Sequence, residues 1–368
     1  MKKTKLIIKT KSKKYPIIIG PNIIDDINNI LKFSKTYFEK ALIIYDTKVP
    51  KKKLYILKQK INSKKKIIHS FKVSEKNKNL KSINSILNKL FKFNFNRNDC
   101  IISLGGGITG DVSGFAASIY KRGIKFINIP TTLLAQVDSS IGGKTGINNK
   151  YGKNLIGSFM QPDLVVSDIN NLKSLPKREI ICGYGEILKH SIINGYSTFN
   201  YLKKNFHKII KLKSPFIEKA ILDSCKIKKK IVEKDEKEKN LRKILNLGHS
   251  FAHAYEAALA YSRKLNHGEA VILGIKSATK FSLQNNIINK RDYSQIINHI
   301  SNLNINTDLN NYFKKKDINI LIKYMKSDKK NNSSKINLIL IKSIGKILIE
   351  MKFDESKIRK FFVNELIY

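Results

Sequence analysis

The segment from Ile101 to Gln161, IISLGGGITGDVSGFAASIYKRGIKFINIPTTLLAQVDSSIGGKTGINNKYGKNLIGSFMQ, restricts the fold more than any other part of the chain. A short apolar strand, Ile101 to Leu104, runs directly into Gly105, Gly106 and Gly107, after which Asp111 and Gly114 open a run of helical composition. Glycines at a strand-to-helix turn let backbone N–H groups come close to an anion such as phosphate. A second apolar strand, Phe126 to Ile129, ends at Pro130, Thr131 and Thr132, whose hydroxyls suit contact with a bound nucleotide. Gly142 to Asn154 reads as a third, polar loop, with Lys144 and Lys153 among its glycines. The pattern is neither GxGxxG nor GxxxxGK[ST], and a glycine turn alone is a weak sign, because many α/β proteins use one only to pack helix on strand. The weight comes from Asp138, Lys144, Lys153 and Asn154, charged and amide groups that a purely structural turn does not need.

Around this segment the chain alternates strand and helix signals. Thr4 to Gly20 reads as a hairpin turning near Lys13 and Lys14, and Asn22 is placed to cap a short helix. Ala41 to Tyr45 is a strand of the fully buried type, and Asp46 at its carboxyl end is positioned to accept a ribose hydroxyl. Ile67 to Val73 gives another strand. The pattern to about Asp168 predicts a doubly wound, Rossmann-like domain with its ligand at the strand ends. Beyond LKSLPKRE the pattern is helical almost to the end, including Ile217 to Lys234 and Ser250 to Ala260. Two domains are therefore expected, an α/β nucleotide-binding domain over 1–175 and an all-α domain over 176–368.

A formal net charge of +43 would ordinarily point to nucleic acid or an anionic membrane. Here lysine, isoleucine and asparagine are overused everywhere, arginine is scarce, and no basic stripe is interleaved with aromatic residues. A solvated lysine surface accounts for the charge, which still favours an anionic small molecule. No run reaches the roughly 18 apolar residues of a membrane span, and the lysine-rich start lacks an apolar continuation, so a soluble, cytoplasmic protein is expected. Cys100, Cys182 and Cys225 are widely spaced without a CxxC pattern and are expected to be buried free thiols.

Histidine placement adds chemistry. In GYGEILKHSII, Glu186, Lys189 and His190 share a helix face; HSFAH puts His249 and His253 one turn apart, followed by Glu256; LNHGEAV adds His267. Read on spacing alone, His249 and His253 form a ligand pair, and a Glu-His-His set suits a catalytic zinc site with one open position.

GGGITGD, YKRG, IPTTLLAQVDSSIGGKTGIN, KNLIGSF, GYGEILKH, LRKILNLGHSFAHAYEA and LNHGEAVILG follow one another in a fixed order, between KKYPIIIG near the start and DKKNNSSKINLIL near the end. Over most of its length the chain resembles the 3-dehydroquinate synthase family of sugar phosphate cyclases. The resemblance implies conversion of 3-deoxy-D-arabino-heptulosonate 7-phosphate to 3-dehydroquinate and phosphate, with NAD and one divalent metal, zinc or cobalt. It implies Glu186, His249 and His267 as metal ligands, leaving His253 for proton transfer and Glu238 to orient it. Asp46, Glu75, Lys78, Gly105, Gly106, Gly107, Asp111, Thr131, Thr132, Lys144 and Lys153 match cofactor-binding positions. Lys144, Asn154, Asn246 and Lys335 match the phosphate side, with Lys144 also counted among the catalytic groups. Arg122 matches an arginine supplied by a neighbouring subunit, which implies a homodimer. Lys228 and Arg242 match the substrate carboxylate side, while Asp138 and Lys189 match contacts to ring hydroxyls.

Two departures stand out. SEKNKNL keeps Glu75 and Lys78 but loses the small residues of the family's cofactor loop, which predicts weaker NAD binding through lost turn geometry. Ser333 and Ser334 replace glycine-like positions before Lys335. Rival readings are another sugar phosphate cyclase, a metal-dependent alcohol dehydrogenase of related fold, and a basic nucleic-acid-binding protein. The cationic pair Lys228 and Arg242 argues against the first, and the phosphate-side residues against the second. The acidic and histidine ligands argue against the third, so neither nucleic acid nor membrane is expected as a partner.

Overall fold

A computed structural model describes residues 3–303, 305–326 and 335–367. The chain divides into two compact units, residues 1–183 with 208–237, and residues 184–207 with 238–368.

The first unit is built on a seven-stranded sheet. Its members are β1 (Thr4–Lys9), β2 (Lys14–Gly20), β3 (Lys40–Asp46), β4 (Lys65–Phe71), β5 (Cys100–Gly105), β6 (Lys125–Pro130) and, after the hairpin β7 (Lys144–Asn149) and β8 (Gly152–Phe159), β9 (Leu164–Asp168). The spatial order is β1-β2-β9-β6-β5-β3-β4, parallel throughout except for the antiparallel edge strand β1. A sheet covered on both faces calls for strands that are buried throughout and read as near-continuous apolar runs. β5 and β9 are buried along their whole length. Alternate residues then go to opposite layers. Ile43, Ile102, Leu104 and Ile129 meet α1 (Ile27–Phe33) and α2 (Lys51–Lys60). Leu42, Ile44, Ile101 and Phe126 meet α3 (Leu80–Lys92) and α4 (Gly107–Ile119).

The second unit contains the helix α5 (Lys177–Asn194) from Tyr184 onward and α6 (Tyr196–Ile210) as far as His207. After α7 (Phe216–Lys234) of the first unit, it continues with α8 (His249–Ala258), α9 (His267–Gln284), α10 (Lys290–Ser301) and α11 (Ile318–Lys326). A hairpin of β10 (Ile336–Ser343) and β11 (Lys346–Phe353) and the helix α12 (Glu355–Glu365) complete it. α9 lies at its centre, with Val271, Ile272, Leu273, Ile275, Ala278 and Phe281 all buried. Its amino end is closed by a reciprocal cap: Glu269 N–H donates to Asn266 Oδ1 at 3.0 Å, and Asn266 N–H donates to Glu269 Oε2 at 3.0 Å.

Four expectations change. The second region is not all-α, because the alternating run after Lys335 pairs with 346–353 across a turn at Gly345, whose φ is +94°. The expected division at 175 and 176 gives way to a discontinuous one, since α7 belongs to the first unit: Cys225 Sγ donates to the Gln136 carbonyl, and Lys9 N–H donates to Glu233 Oε1 at 2.6 Å. Most of the expected loop from Gly142 to Asn154 is the β7–β8 hairpin, in which Lys144 pairs with Phe159. Asn22 does not cap with its side chain; Asp168 does so instead, accepting from the N–H groups of Asn22 and Ile24 at 3.1 Å each.

Candidate active site

In the first unit, parallel pairing sets Gly105 opposite Pro130, and Thr131 N–H donates to the Gly105 carbonyl at 2.9 Å. The ends of β5 and β6 are thereby held level. A methyl group on Gly105 would lie 2.6 Å from the Thr109 side chain and 2.9 Å from Asp46 Cβ; one on Gly106 would lie 3.0 Å from Thr132 Cγ2. The glycines are thus required by close walls. α4 begins at Gly107, and a helix start offers unpaired N–H groups and the positive end of the helix dipole. Its N-cap, Gly106, has no side chain of its own to cap it, and the Asp46 carboxylate accepts from the Gly106 N–H. That combination fits a dinucleotide pyrophosphate. Asp46 is buried at the end of β3, where burial pushes its pKa up and Lys48 N–H at 2.9 Å offsets this.

One turn into α4, Asp111 pairs with Lys78 at 2.5 Å; burial raises its pKa and Lys78 opposes the rise. Lys78, itself buried, also donates to Asn154 Oδ1. Glu75 takes Lys153 at 3.2 Å and the Asn148 amide at 2.7 Å, and Asn148 N–H donates to the Lys78 carbonyl at 2.8 Å. The structure therefore brings Glu75, Lys78, Asp111, Lys153 and Asn154 together. The loop that departs from the family pattern keeps its turn, with Ser74 Oγ accepting from Asn77 N–H at 3.1 Å. Asn148, which the sequence reading passed over, is the pin that joins this loop to the hairpin.

Asp138 lies in a π-helical turn, Ala135–Ser139, against α7. Lys228 on α7 is buried and donates to Asp138 Oδ1 at 2.6 Å and to its carbonyl at 2.7 Å. Lys144 is exposed at the start of β7. Arg122 is exposed on a strained loop: Lys121, Arg122 and Gly123 have φ of +47°, +64° and +129°.

In the second unit, α5, α8 and α9 contribute one ligand each to a metal-sized cluster. Glu186 is buried, and its Oε1 lies 3.7 Å from His249 Nε2 and 3.9 Å from His267 Nε2. Ligands about 2.0–2.2 Å from one tetrahedral ion stand about 3.4 Å apart, close to these separations. Each imidazole has its other nitrogen engaged: His267 Nδ1 lies 3.0 Å from Glu256 Oε2, and His249 Nδ1 lies 3.3 Å from the Leu247 carbonyl. Both contacts select the tautomer that leaves Nε2 for metal. Burial, then the neighbouring Lys189, His253 and His267, hold His249 well below its usual pKa, in the neutral form a metal requires. One carboxylate and two imidazoles suit zinc or a similar ion.

Lys189 is buried and ion-paired with Glu186 one turn away. His253 is exposed, its ring 5.3 Å from that of His249. It is next to the cluster without being part of it, unlike the pairing read from HSFAH spacing. Glu238 accepts from the Asn246 amide, and Arg242 is buried nearby in sequence. Lys335 is exposed, 3.7 Å from Asp354, and Ser333 and Ser334 lie outside the described residues. The sequence places Glu256 after His249 and His253 without giving it a role. Its position seven residues after His249, on the same face of α8, was the available signal.

Comparison with known proteins gives the family. Residues 68–182 match the family model described as 3-dehydroquinate synthase N-terminal, and residues 183–331 the one described as 3-dehydroquinate synthase C-terminal. A 3-dehydroquinate synthase of Pelagibacter ubique (strain HTCC1062) is 58% identical over 362 residues, 98% of each chain. One from Dictyoglomus thermophilum is 43% identical over 358 residues, 96% of each. Among solved structures, 2-deoxy-scyllo-inosose synthase with carbaglucose-6-phosphate, NAD+ and Co2+ has a TM-score of 0.88 at 23% identity, covering 99% of this chain and 100% of that one. The 2-epi-5-epi-valiolone synthase of Streptomyces hygroscopicus, with NAD+ and Zn2+, gives 0.85 at 20% identity, covering 97% and 98%. With a glycine-walled helix start, a Glu-His-His cluster and family models spanning most of its length, the chain belongs to the 3-dehydroquinate synthase family.

Proposed function

We propose that the chain catalyses conversion of 3-deoxy-D-arabino-heptulosonate 7-phosphate to 3-dehydroquinate and phosphate. The observation that carries the reading is the convergence of Glu186, His249 and His267 with both Nε2 atoms turned to the carboxylate. When bound, NAD would supply reversible hydride acceptance, and a divalent metal held by Glu186, His249 and His267 would supply stabilisation of negative charge on a substrate oxygen. Gly105, Gly106, Gly107 and the α4 amino end hold the pyrophosphate, with Asp46, Glu75, Lys78, Asp111, Thr131, Thr132 and Lys153 around the rest of the cofactor. Lys144, Asn154, Asn246 and Lys335 bind the departing phosphate. Lys228 and Arg242 hold the carboxylate; Asp138 and Lys189 take ring hydroxyls. Anchoring the substrate at both charged ends fixes the geometry of elimination and ring closure. His253, exposed beside the metal cluster, moves the C6 proton, and Glu238 sets its orientation.

The active form is a homodimer in which Arg122 serves the neighbouring copy. Its exposure on a strained loop supports this, as does the hairpin bearing Tyr151, Leu155 and Phe159, all exposed. Among the described residues no helix is long and apolar enough to cross a membrane. The decisive test is phosphate release from the heptulosonate phosphate, which should require both NAD and a chelatable divalent metal. Release that ignores NAD and chelator would overturn the reading, and turnover only with a carboxylate-free sugar phosphate would move the chain to another cyclase activity.

A further inference from the structure

A cavity of about 230 Å³ opens in the second unit, away in sequence from the metal ligands. It is lined by the third and fourth turns of α9 together with 307–310 and the end of α12. Lys276 and Lys280 are nine and thirteen residues beyond His267, about 14 and 20 Å along the helix axis. Leu273, Ser277 and Leu309 are buried and make the floor, while Asp308 and Ile367 are exposed at the rim.

The charges are unequally satisfied. Lys280 is paired with Glu365 at 2.5 Å. Lys276 is half-buried and donates to the Thr307 carbonyl at 2.6 Å, with its hydroxyl farther off at 3.4 Å. Among the described residues no carboxylate stands within the 4.0 Å of an ion pair from Lys276. Asp308 is the mirror case: its carboxylate accepts from the Asn310 N–H at 3.0 Å and amide at 2.9 Å, with no ammonium in ion-pair range among the described residues. An ammonium and a carboxylate that act on each other only beyond ion-pair range thus line one recess over the buried Leu273 and Leu309. A half-buried charge gains most from a ligand of opposite sign that brings its own hydrogen bonds.

We propose that this cavity binds a small zwitterion of the α-amino acid class, carboxylate toward Lys276, ammonium toward Asp308 and side chain on Leu273 and Leu309. The volume is below the roughly 300–1,000 Å³ of pockets for drug-sized ligands, which fits one such molecule. Burial, then the neighbouring Lys280, pulls the Lys276 pKa down, while Asp308 and Glu365 oppose the fall from longer range.

The test is calorimetric titration of the full-length protein with glycine, L-leucine and L-phenylalanine, set against isocaproate, which lacks the ammonium, and isoamylamine, which lacks the carboxylate. Saturable binding of at least one amino acid in the millimolar range is expected, with the acid and the amine about tenfold weaker or worse. Lys276→Met and Asp308→Asn should each weaken the amino acid about tenfold, and Asp308→Asn at an exposed site guards against a folding artefact. No saturable heat with any of the three amino acids overturns the proposal. So does equal affinity for the acid or the amine, or unchanged affinity in both variants.

Discussion

His249 and His267 are suited to a metal by what holds their second nitrogen. Glu256 Oε2 and the Leu247 carbonyl each occupy an Nδ1, and partners of this kind typically change metal affinity 10- to 100-fold. Glu256→Gln should therefore raise the dissociation constant for zinc by roughly 10- to 100-fold with the fold intact. Chelator competition reads this directly, and an unchanged constant would remove Glu256 from the site. His299 is a histidine of a different kind. Buried among Tyr184, Phe199 and Phe206, it lies 2.7 Å from the Tyr184 hydroxyl, and burial, then Lys203, push its pKa down to about 4. Between that value and the unfolded value of about 6.5, the unfolded chain binds the extra proton, so stability is complete above about pH 6.5 and is lost as pH falls toward 4. The loss from this group is about 3 kcal/mol. Urea midpoints measured across that window should fall less steeply in His299→Gln than in the parent; parallel slopes would rule out His299 as the titrating group.

At the scale of elements, two close approaches decide whether the sites form. β5 hands over to α4 through glycines walled by Thr109, Asp46 and Thr132. Gly106→Val pushes bulk against Thr132 and away from the helix start, so half-maximal activity should need far more NAD, by at least about tenfold. NAD dependence like that of the parent would mean that the cofactor lies elsewhere. In the second unit α8 meets α9 where a methyl on Gly274 would lie 2.2 Å from the Gly248 carbonyl, and Gly248 has φ of +79°. These helices carry His249 and His267. Gly274→Ala should cost about 1–3 kcal/mol, from overpacking against backbone that cannot yield, and weaken metal binding in step. A denaturation curve superimposable on the parent's would show that the helices can slide apart freely.

At the scale of the whole molecule, the role proposed for Arg122 in a neighbouring copy would connect assembly with catalysis. The alternative is a surface arginine, whose ion pairs are worth at most about 1 kcal/mol. Arg122→Ala and Lys144→Ala are each expected to be inactive. If Arg122 works in the neighbouring copy, their mixed dimer has one site with both lesions and one with neither. Activity of that species should return to about half the parent's. Verified mixed dimers that stay inactive would confine Arg122 to its own subunit or to the surface.

Apolar runs made the central strands legible, because a strand buried on both faces reads as a near-continuous apolar run, as Ala41 to Tyr45 does throughout and Ile101 to Leu104 does but for Ser103. Motif order made the family and the set of candidate residues legible. Spacing alone failed where contacts come from distant segments. It paired His249 with His253, since one helical turn is all a local pattern can see, whereas Glu186 and His267 reach the cluster from α5 and α9. It missed the β10–β11 hairpin inside a helical pattern, and it put a cut at 175 although α7 returns to the first sheet's unit. It could not foresee that Asn148 would brace the altered 74–78 turn, or that Glu256 would hold His267. Composition and motif order state which groups are available. Tertiary packing decided which nitrogen, carboxylate and amide meet, because hydrogen bonds and metal geometry act over about 2–3 Å and depend on distant segments arriving together.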